Sequence, residues 1–237
     1  MSRPTATMQL PFRGQTLALD PAGAVYWPAR ELLVVADLHL EKGSAFARRG
    51  ALLPPYDTHA TLARLEALVR RWRPATLVSL GDGFHDRRGG HELSPDLFDR
   101  LGALTRALRW VWVTGNHDPS VALALGGAAV PELALDGLVL RHEPAGAPGE
   151  VAGHLHPKAR LSTRRQRFCR PCFAGDGERL LLPAFGSFTG GLNVLDPAIS
   201  RFFPTGFHAY MLGSAQVFRF PHRVLAAGTS PARHLLA

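Results

Sequence analysis

Short apolar runs alternate with segments of helical period along the first 144 residues of the chain. The segment 58–72 places apolar side chains at helical spacing and is followed by Pro74, while 94–108 offers Ser94 as an N-cap and Pro95 at the first helical position. The apolar runs predict buried strands at 31–39, 75–82, 109–118 and 136–144. Strands that alternate with helices in this way predict a parallel sheet with helices packed on it.

The second half of the chain has a less regular pattern. Residues 167–195 contain short apolar stretches separated by glycines, which predicts β-hairpins, and we expect the glycines of 185–191 to form tight turns. The last ~30 residues show no clear period, so we expect them to be irregular. No linker divides the sequence, and a single domain spanning 1–237 is the expected organisation.

Polar clusters follow the apolar runs, at the positions where ligand sites form in open α/β sheets. The clusters are Asp37–His39, Gly81–Asp86, Gly115–Asp118, His142 and Gly153–His156. We expect the last of them to be extended, so that His154 and His156 share one face. Taken singly, each cluster is typical of an ordinary turn or of a partly buried histidine. Five clusters in this order, each at a strand end, favour a shared site.

The side chains of these clusters suit divalent metal ions. The segment GDGFHDRRGG at 81–90 packs two aspartates and a histidine among glycines, a composition that neither a core nor an ordinary surface loop requires. Carboxylates, an amide and imidazoles together are ligands for Mn²⁺, Fe²⁺ or Zn²⁺. Two such ions at a separation of ~3.5–4 Å need an anion between them, which a carboxylate can provide.

The composition is that of a globular protein with a basic surplus. Of the 237 residues, 46% are hydrophobic and 19% are charged, and the formal net charge is +8. A positive charge suits an anionic partner such as nucleic acid, although arginine-rich proteomes contain many basic proteins. The stretch 157–171 follows the last histidine pair, which favours contact with a polyanion, with a solvated hairpin tip as the alternative. Its cations are Lys158, Arg160, Arg164, Arg165, Arg167 and Arg170.

The cysteines and the apolar runs bear on chemistry and location. Cys169 and Cys172 lack the second pair that a zinc site needs and the strand-to-helix context of a redox motif, so we expect two buried or half-buried thiols. No apolar run reaches the ~18 residues of a membrane span. The first 30 residues lack the basic start, apolar centre and small-residue cleavage site that mark a signal peptide in that order. These observations predict a soluble, cytoplasmic protein that makes no contact with membranes.

The order of the clusters resembles that of the calcineurin-like metallophosphoesterases. D-x-H, G-D-x-x, G-N-H-D, a single histidine and G-H-x-H all occur between residue 32 and about residue 160. Four longer stretches resemble the bacterial branch encoded beside DNA ligase, helicase and exonuclease genes, the ligase-associated DNA-damage-response endonucleases. They are ADLHLEKGSAFARRG, LGDGFHD, RPCFAG and LPAFGSFTGGLNV. The resemblance implies an α/β four-layer sandwich, two facing mixed β-sheets flanked by helices, with a dinuclear metal site at strand ends.

The resemblance also implies a role for each residue of the clusters. The first metal would be held by Asp37, His39, Asp82 and His156. The second would be held by Asp82, Asn116, His142 and His154, with the Asp82 carboxylate bridging the two ions. His117 would lie near the scissile phosphate, outside both coordination spheres, and donate a proton to the leaving oxygen or stabilise its developing charge.

Further residues are candidates for contact with the substrate. Phosphatases of the family carry an aspartate three residues after the bridging one, whereas this chain has His85, and GD-x-F-H resembles the nuclease branch. We expect His85 to act as a catalytic imidazole on the substrate side, with a supporting or exposed histidine as the alternative. The candidate substrate-binding cations are Lys42, Arg164, Arg165 and Arg167, each of which is otherwise an ordinary solvated side chain.

The function that the resemblance implies is hydrolysis of phosphodiesters with two metal ions. Mn²⁺ is the expected ion because hard carboxylate and amide oxygens belong to the implied set, with Fe²⁺ or Zn²⁺ as alternatives. DNA is the expected substrate, cleaved by an endonuclease of DNA repair with ligase, helicase and exonuclease proteins as partners. One alternative is a phosphodiesterase or phosphomonoesterase of small nucleotides. Another, of a different class, is a non-catalytic DNA-binding or scaffold member of a repair complex.

Overall fold

The computed structural model describes residues 6–50, 56–86, 93–115, 125–163 and 166–227. Two mixed β-sheets pack face to face in this part of the chain. In the first sheet the strands lie in chain order, with antiparallel pairing from β1 to β4 and parallel pairing from β4 to β7. These strands are β1 Met8–Phe12, β2 Gln15–Leu19, β3 Val25–Trp27, β4 Leu32–Ala36, β5 Thr76–Leu80, β6 Arg109–Val113 and β7 Ala128–Val130.

The second sheet is built from the second half of the chain. Its strands are β8 Glu132–Leu135, β9 Leu138–Arg141, β10 Glu150–Ala152, β11 Lys158–Ser162, β12 Arg167–Gly175, β13 Arg179–Leu181, β14 His208–Leu212 and β15 Val217–Pro221. Their order is β15-β14-β12-β13-β10-β9-β8, and β11 pairs with the free end of β12. β10 runs parallel to both β9 and β13, whereas the other pairs are antiparallel.

Helices cover the outer faces of the sheets. The described helices are α1 Lys42–Arg48, α2 Asp57–Trp72, α3 Pro95–Ala107 and α4 Pro197–Ser200, with 3₁₀ turns at Pro28–Arg30 and His222–Val224. Both predicted helices are confirmed to within one residue at each end. Ser94 caps α3 as expected, because its hydroxyl accepts a hydrogen bond from the Leu97 backbone N–H at 3.5 Å. No described helix has both the length and the apolar character needed to cross a bilayer.

The four layers follow from strands that are buried on both faces. In β4, Leu32 and Val34 point into the core between the two sheets, whereas Leu33 and Val35 point into a second core beneath α2 and α3. The outer face of the second sheet is covered by the chain around α4, where Ile199 joins a third core. The predicted sandwich of two mixed sheets flanked by helices is therefore confirmed.

Two expectations about the second half are wrong. The last ~30 residues were expected to be irregular, but His208–Leu212 and Val217–Pro221 form an antiparallel pair at the edge of the second sheet. Strand β14 has no period of two because its central residues are buried, which removes the usual sign of a half-buried strand. Cys172 is buried but Cys169 is exposed, because the first four residues of β12 are exposed on both faces and burial begins only further along the strand.

Candidate metal centre

The strand ends of both sheets meet at one edge of the sandwich. β4 and β5 are parallel neighbours in the first sheet, and β9 and β10 are parallel neighbours in the second. Each of the four strands ends just before polar side chains, and the carboxyl ends of parallel strands lie at the same edge of a sheet. The six side chains brought together there are Asp37, His39, Asp82, His142, His154 and His156.

Cluster 1 consists of Asp37, His39 and His156. The Nε2 atoms of the two histidines lie 3.2 Å apart, and His156 Nε2 lies 3.4 Å from Asp37 Oδ1. The two imidazole planes are nearly perpendicular, at 85°. Two ligand atoms bound at ~2.1 Å to one ion at tetrahedral or octahedral angles are separated by about 3.0–3.4 Å, so these spacings fit a shared cation.

Cluster 2 consists of Asp82, His142 and His154. His142 Nε2 lies 3.1 Å from His154 Nδ1 and 3.7 Å from Asp82 Oδ1. The other ring nitrogen of His142 lies 3.2 Å from the Leu80 carbonyl oxygen. A proton on Nδ1 that is donated to this carbonyl leaves the Nε2 lone pair directed into cluster 2, as a metal ligand requires.

The two clusters form one continuous site. Asp37 Oδ1, which belongs to cluster 1, lies 3.6 Å from Nδ1 of His142, which belongs to cluster 2. The second oxygen of Asp37 accepts a hydrogen bond from the His154 backbone N–H at 2.9 Å, so this carboxylate also fixes the loop that carries the last two histidines. Two ions held by the clusters would therefore act on a common substrate.

The electrostatics of the site favour the protonation states that bind metals. Burial lowers the pKa of His39 to about 3, with a further contribution from the facing His156. Burial and the neighbouring His142 also lower the pKa of His154. Burial alone would raise the pKa of Asp37, but the facing histidines, with His156 foremost, outweigh it and lower that pKa. Neutral imidazoles and an ionised carboxylate are the forms that coordinate divalent cations.

A buried polar atom tests whether a metal ion fits this site. Asp37 is fully buried, and its Oδ1 has no hydrogen-bond partner among the described residues. Leaving a charged oxygen unsatisfied in a protein interior is costly, and such groups are normally paired or coordinate metals. A cation between Asp37 Oδ1 and the two facing imidazole nitrogens would satisfy all three atoms, so the residues present fit a metal.

The backbone of the site is strained. Five of the six clustered residues adopt the left-handed conformation, which residues with a Cβ rarely occupy. They are Asp37 (φ 53°), His39 (φ 42°), Asp82 (φ 40°), His154 (φ 68°) and His156 (φ 46°). Strain of ~1–3 kcal/mol per residue persists only where the surrounding structure imposes it, and it concentrates at functional sites. The clustering of left-handed residues therefore supports a functional centre.

Comparison with known proteins agrees with this geometry. Residues 31–169 match the family described as calcineurin-like phosphoesterase. The chain belongs to this family. Its structure is similar to that of the nuclease MPE of Pseudomonas putida, with a TM-score of 0.71 and 32% identity over 91% of this chain and 100% of that one. Yfce, a phosphoesterase from E. coli, matches with a TM-score of 0.42 and 17% identity over 80% of this chain and 97% of that one. A search of curated proteins gave no match.

As a member of the calcineurin-like phosphoesterases, the chain is a metal-dependent phosphoester hydrolase. Six of the seven candidate metal ligands lie in clusters 1 and 2, and the seventh, Asn116, lies outside the described residues. The expectation that His154 and His156 share a face of an extended segment is wrong. Both residues adopt left-handed conformations, and His154 joins cluster 2 while His156 joins cluster 1.

Among the candidate catalytic residues of this phosphoesterase, His117 lies outside the described residues. The ring of His85 is half-buried beside cluster 1, with its centroid 5.8 Å from that of His39 and 5.5 Å from that of Phe46. Its backbone N–H donates to the Leu40 carbonyl at 2.9 Å. An exposed loop position for His85 is thus ruled out, while contact with a substrate and support of His39 both remain compatible with its place.

The candidate substrate-binding cations are distributed unevenly. Lys42 begins α1, and its ammonium donates to the Phe188 carbonyl at 3.1 Å. Arg167 is exposed at the start of β12 and lines a surface pocket with Arg160, Phe168 and Cys169, and the described lining of that pocket includes no residue of either cluster. Arg164 and Arg165 lie outside the described residues.

The segment 185–191 was expected to use its glycines for tight turns, and it does turn at Ser187–Phe188, directly after Gly186. Its left-handed residue is Phe188, with φ at 56°, and not a glycine. Gly186 instead allows a close approach, because its N–H donates to the Asp37 carbonyl at 3.0 Å and a Cβ there would overlap the Leu38 carbonyl. The segment therefore supports the loop that carries Asp37. Its glycine content marked the segment in the sequence, but the reason for Gly186 is this close approach and not a turn.

Gly81 provides a test of how cluster 2 is positioned. It has φ of 67°, and a Cβ at this position would overlap the His142 ring. We expect Gly81→Ala to displace His142 and to lower the metal content of the purified protein by about one ion per chain. The metal content is measured by inductively coupled plasma mass spectrometry. Gly14→Ala is the matched control, because Gly14 has φ of 76° and a Cβ there has no neighbour within 4 Å. The control should lose only ~1–2 kcal/mol of stability. Full metal content in Gly81→Ala would contradict the assigned place of His142.

Proposed function

We propose that this chain is a phosphodiesterase that uses two metal ions to cleave DNA, as a nuclease of DNA repair. The observation that carries the proposal is the continuity of the two clusters, with Asp37 Oδ1 of cluster 1 only 3.6 Å from His142 of cluster 2. The similarity in fold and sequence to the nuclease MPE supports a nucleic acid substrate. The formal net charge of +8 supports an anionic polymer.

The chain's own side chains set the charge of the centre. When bound, the two ions would polarise the phosphate and lower the pKa of a water molecule, which is the chemistry that phosphodiester hydrolysis needs. Asp37 and Asp82 bring two negative charges, and the four clustered imidazoles bring none in their neutral form. Two carboxylates and four neutral imidazoles would leave a centre that holds two dications with a surplus of positive charge, which would attract and stabilise an anionic phosphate.

Other residues act on the metals and on the reacting groups. We propose that Asp82 would help to hold both ions and that Asn116 would help to hold the second. The Leu80 carbonyl orients His142, and Asp37 orients the His154 backbone. His117 is proposed to give a proton to the leaving oxygen, which an imidazole can do near neutral pH. His85 is proposed to lie on the substrate side of cluster 1, next to His39.

The proposal extends to the metal and to the biological setting. Mn²⁺ is the proposed ion because oxygen ligands from Asp37 and Asp82 accompany the imidazoles. The proposed setting is DNA repair in the cytoplasm, with ligase, helicase and exonuclease proteins as partners, as the ligase-associated branch implies. The proposed organisation is one domain that spans the chain.

A panel of substrates tests the proposed function. The protein is loaded with Mn²⁺, Fe²⁺ or Zn²⁺ and incubated with bis-p-nitrophenyl phosphate, p-nitrophenyl phosphate, cyclic dinucleotides, and single- and double-stranded oligonucleotides. We expect hydrolysis of the chromogenic diester and of at least one form of DNA. His117→Ala should keep both ions and lose about 10²–10⁴-fold in rate. Hydrolysis of small nucleotides without cleavage of DNA would favour the small-nucleotide alternative. Binding of DNA without turnover in any metal would favour the scaffold alternative.

A further inference from the structure

A groove next to the metal centre is lined by residues of α2 and of the segment 186–190. It has a volume of about 490 Å³, and His156 of cluster 1 is one of the residues that line it. Arg64 from α2 and Lys158 from β11 line it together with Phe188, and none of the described residues lining the groove is acidic. A groove that shares a histidine with a metal site and presents only cationic charge among its described residues is suited to an anionic ligand that extends beyond the reacting phosphate.

Arg64 is a half-buried charge with no acidic partner among the described residues. Its guanidinium stacks on the Phe185 ring with Cζ 4.2 Å from the centroid, and its Nε is buried with no hydrogen-bond partner among the described residues. Burial lowers its pKa, and no carboxylate offsets this effect. Arginine nonetheless keeps its charge in proteins. Two arginines elsewhere on the helical layer do have acidic partners, since Arg71 pairs with Asp20 and Arg100 pairs with Glu66, each at 3.0 Å.

Lysine ammonium groups extend this positive charge along the groove. Lys158 Nζ donates to the Thr189 carbonyl at 3.2 Å, and Lys42 Nζ donates to the Phe188 carbonyl at 3.1 Å. Burial lowers the pKa of Lys42, and the charge of Lys158 lowers it further against the opposing effect of Asp57. An ammonium has three donors, so these carbonyl contacts leave donors for a ligand. Lys158 thus adds a second positive charge to the groove beside Arg64, with Lys42 next to the groove at Phe188, and no acidic residue is among the described residues that line it.

An aromatic ring stands at the rim of the groove. Phe188 is 55% exposed and has φ of 56°, a strained conformation for a bulky residue. The segment around it is fixed, because the Ser187 N–H donates to Thr61 Oγ1 of α2 at 3.0 Å and the Gly186 N–H donates to the Asp37 carbonyl at 3.0 Å. A fixed aromatic ring beside a cationic groove is the arrangement with which proteins bind unpaired nucleotides, stacking the base and pairing the phosphate.

We propose that this groove binds the nucleotide next to the scissile phosphodiester, with Arg64 and Lys158 on its phosphate and Phe188 stacked on its base. The inference rests on the proposed function, since it assigns a second contact to the same polymeric substrate. It restricts efficient cleavage to substrates with at least two consecutive phosphodiesters and an unpaired nucleotide beside the cleaved bond.

The first test compares Arg64→Gln with Arg70→Gln, an exposed arginine of the same helix that does not line the groove. Both variants lose one positive charge from α2. The readout is the ratio of kcat/KM on a single-stranded oligonucleotide to kcat/KM on bis-p-nitrophenyl phosphate, which has no neighbouring nucleotide. A charge-assisted contact predicts that Arg64→Gln lowers this ratio about tenfold to a hundredfold, while Arg70→Gln leaves it at the wild-type value. The slope of log binding constant against log salt should also fall in magnitude by ~0.7 for Arg64→Gln.

The second test addresses the stacking role proposed for the Phe188 ring. Phe188→Leu is compared with Phe98→Leu, which alters another exposed phenylalanine on α3. Base stacking predicts that Phe188→Leu lowers the same ratio about fivefold to a hundredfold and that Phe98→Leu has no effect on it. An oligonucleotide with an abasic residue beside the cleaved bond should remove the difference between Phe188→Leu and wild type.

The outcomes separate the two proposals. Absence of cleavage of any oligonucleotide by the wild-type protein would overturn the proposed function. Cleavage by wild type, with equal ratios for Arg64→Gln and Arg70→Gln, would overturn the inference alone. An equal loss on both substrates in Arg64→Gln would also overturn it, because Arg64 would then act through the structure of the metal centre. If Arg64→Gln fails to fold, as judged by its melting temperature, Lys158→Gln takes its place with the same expected ratio.

Discussion

Replacing Asp37 with asparagine is expected to lower the rate of phosphodiester hydrolysis at least about a thousandfold while the protein still folds. Asp37 is fully buried, and its Oδ1 faces His156 of cluster 1 and His142 of cluster 2. Asparagine keeps the shape and an oxygen that accepts from the His154 N–H, but it removes the charge that offsets a cation. Loss of a metal that stabilises the transition state by several kcal/mol corresponds to ~10³-fold in rate.

The measurement combines hydrolysis of bis-p-nitrophenyl phosphate with metal analysis of the same sample. Asp136→Asn is the matched control, because Asp136 is a partly exposed carboxylate that pairs with Arg30 away from the clusters. We expect the control to keep both its metal content and its rate. If Asp37→Asn retained two ions per chain and full activity, cluster 1 would not be the catalytic metal site.

The second large effect is expected from removal of the metals. A chelator should reduce hydrolysis to background, and readdition of Mn²⁺ should restore it. The melting temperature should fall on chelation and recover with the metal, because an ion present at 100 times its dissociation constant stabilises the folded state by ~2.7 kcal/mol. The physical reason is local, because a cation would satisfy the buried Asp37 Oδ1 charge and the His156 Nε2 atom that lies 3.4 Å from it and 3.2 Å from His39 Nε2.

Asp37→Asn also serves as the control for this experiment, since its melting temperature should respond less to the chelator than that of the wild type. Readdition of Fe²⁺ and Zn²⁺ in parallel samples determines which ion gives the highest rate. Hydrolysis that continues at full rate in protein shown to be free of metal would contradict the proposed chemistry.

The site could be anticipated because it is built at strand ends. A buried strand such as β4 has a run of apolar residues that stops abruptly at Asp37, and the same happens between β5 and Asp82. Parallel pairing then brings these ends to one edge without any information about side-chain contacts. The family resemblance added the roles of the five clusters and the second sheet. The confirmed fold was predicted from the pattern of strands and helices together with this resemblance.

The division of the histidines between the clusters was implied by the family resemblance and agrees with the structure, but the local sequence pattern, which placed His154 and His156 on one face, did not indicate it. It depends on left-handed conformations at His154 and His156, and residues with a Cβ adopt these only when tertiary contacts impose them. For His154 one such contact is the hydrogen bond from its N–H to Asp37, a residue 117 positions earlier in the chain. A local pattern in the sequence cannot report a constraint that comes from so far away.

The groove was missed for a related reason. Arg64 lies in a helix whose apolar face was recognised, and a single arginine within a helical period is typical of a solvated surface. Its burial comes from Phe185, which belongs to a segment more than 100 positions later in the chain. The edge strands β1 and β15 were missed because they are short and of mixed polarity, and β14 was missed because its buried central residues remove the period of two.

Anomalous X-ray diffraction from crystals grown with Mn²⁺ tests the central claim most directly, because it locates the ions independently of activity. We expect two anomalous peaks per chain. One should lie ~2.0–2.3 Å from Asp37 Oδ1 and from Nε2 of His39 and His156, and the other at the same range from His142 Nε2 and His154 Nδ1. Crystals whose clusters contain no anomalous peak, or in which manganese binds only elsewhere on the chain, would contradict a dinuclear centre at these strand ends.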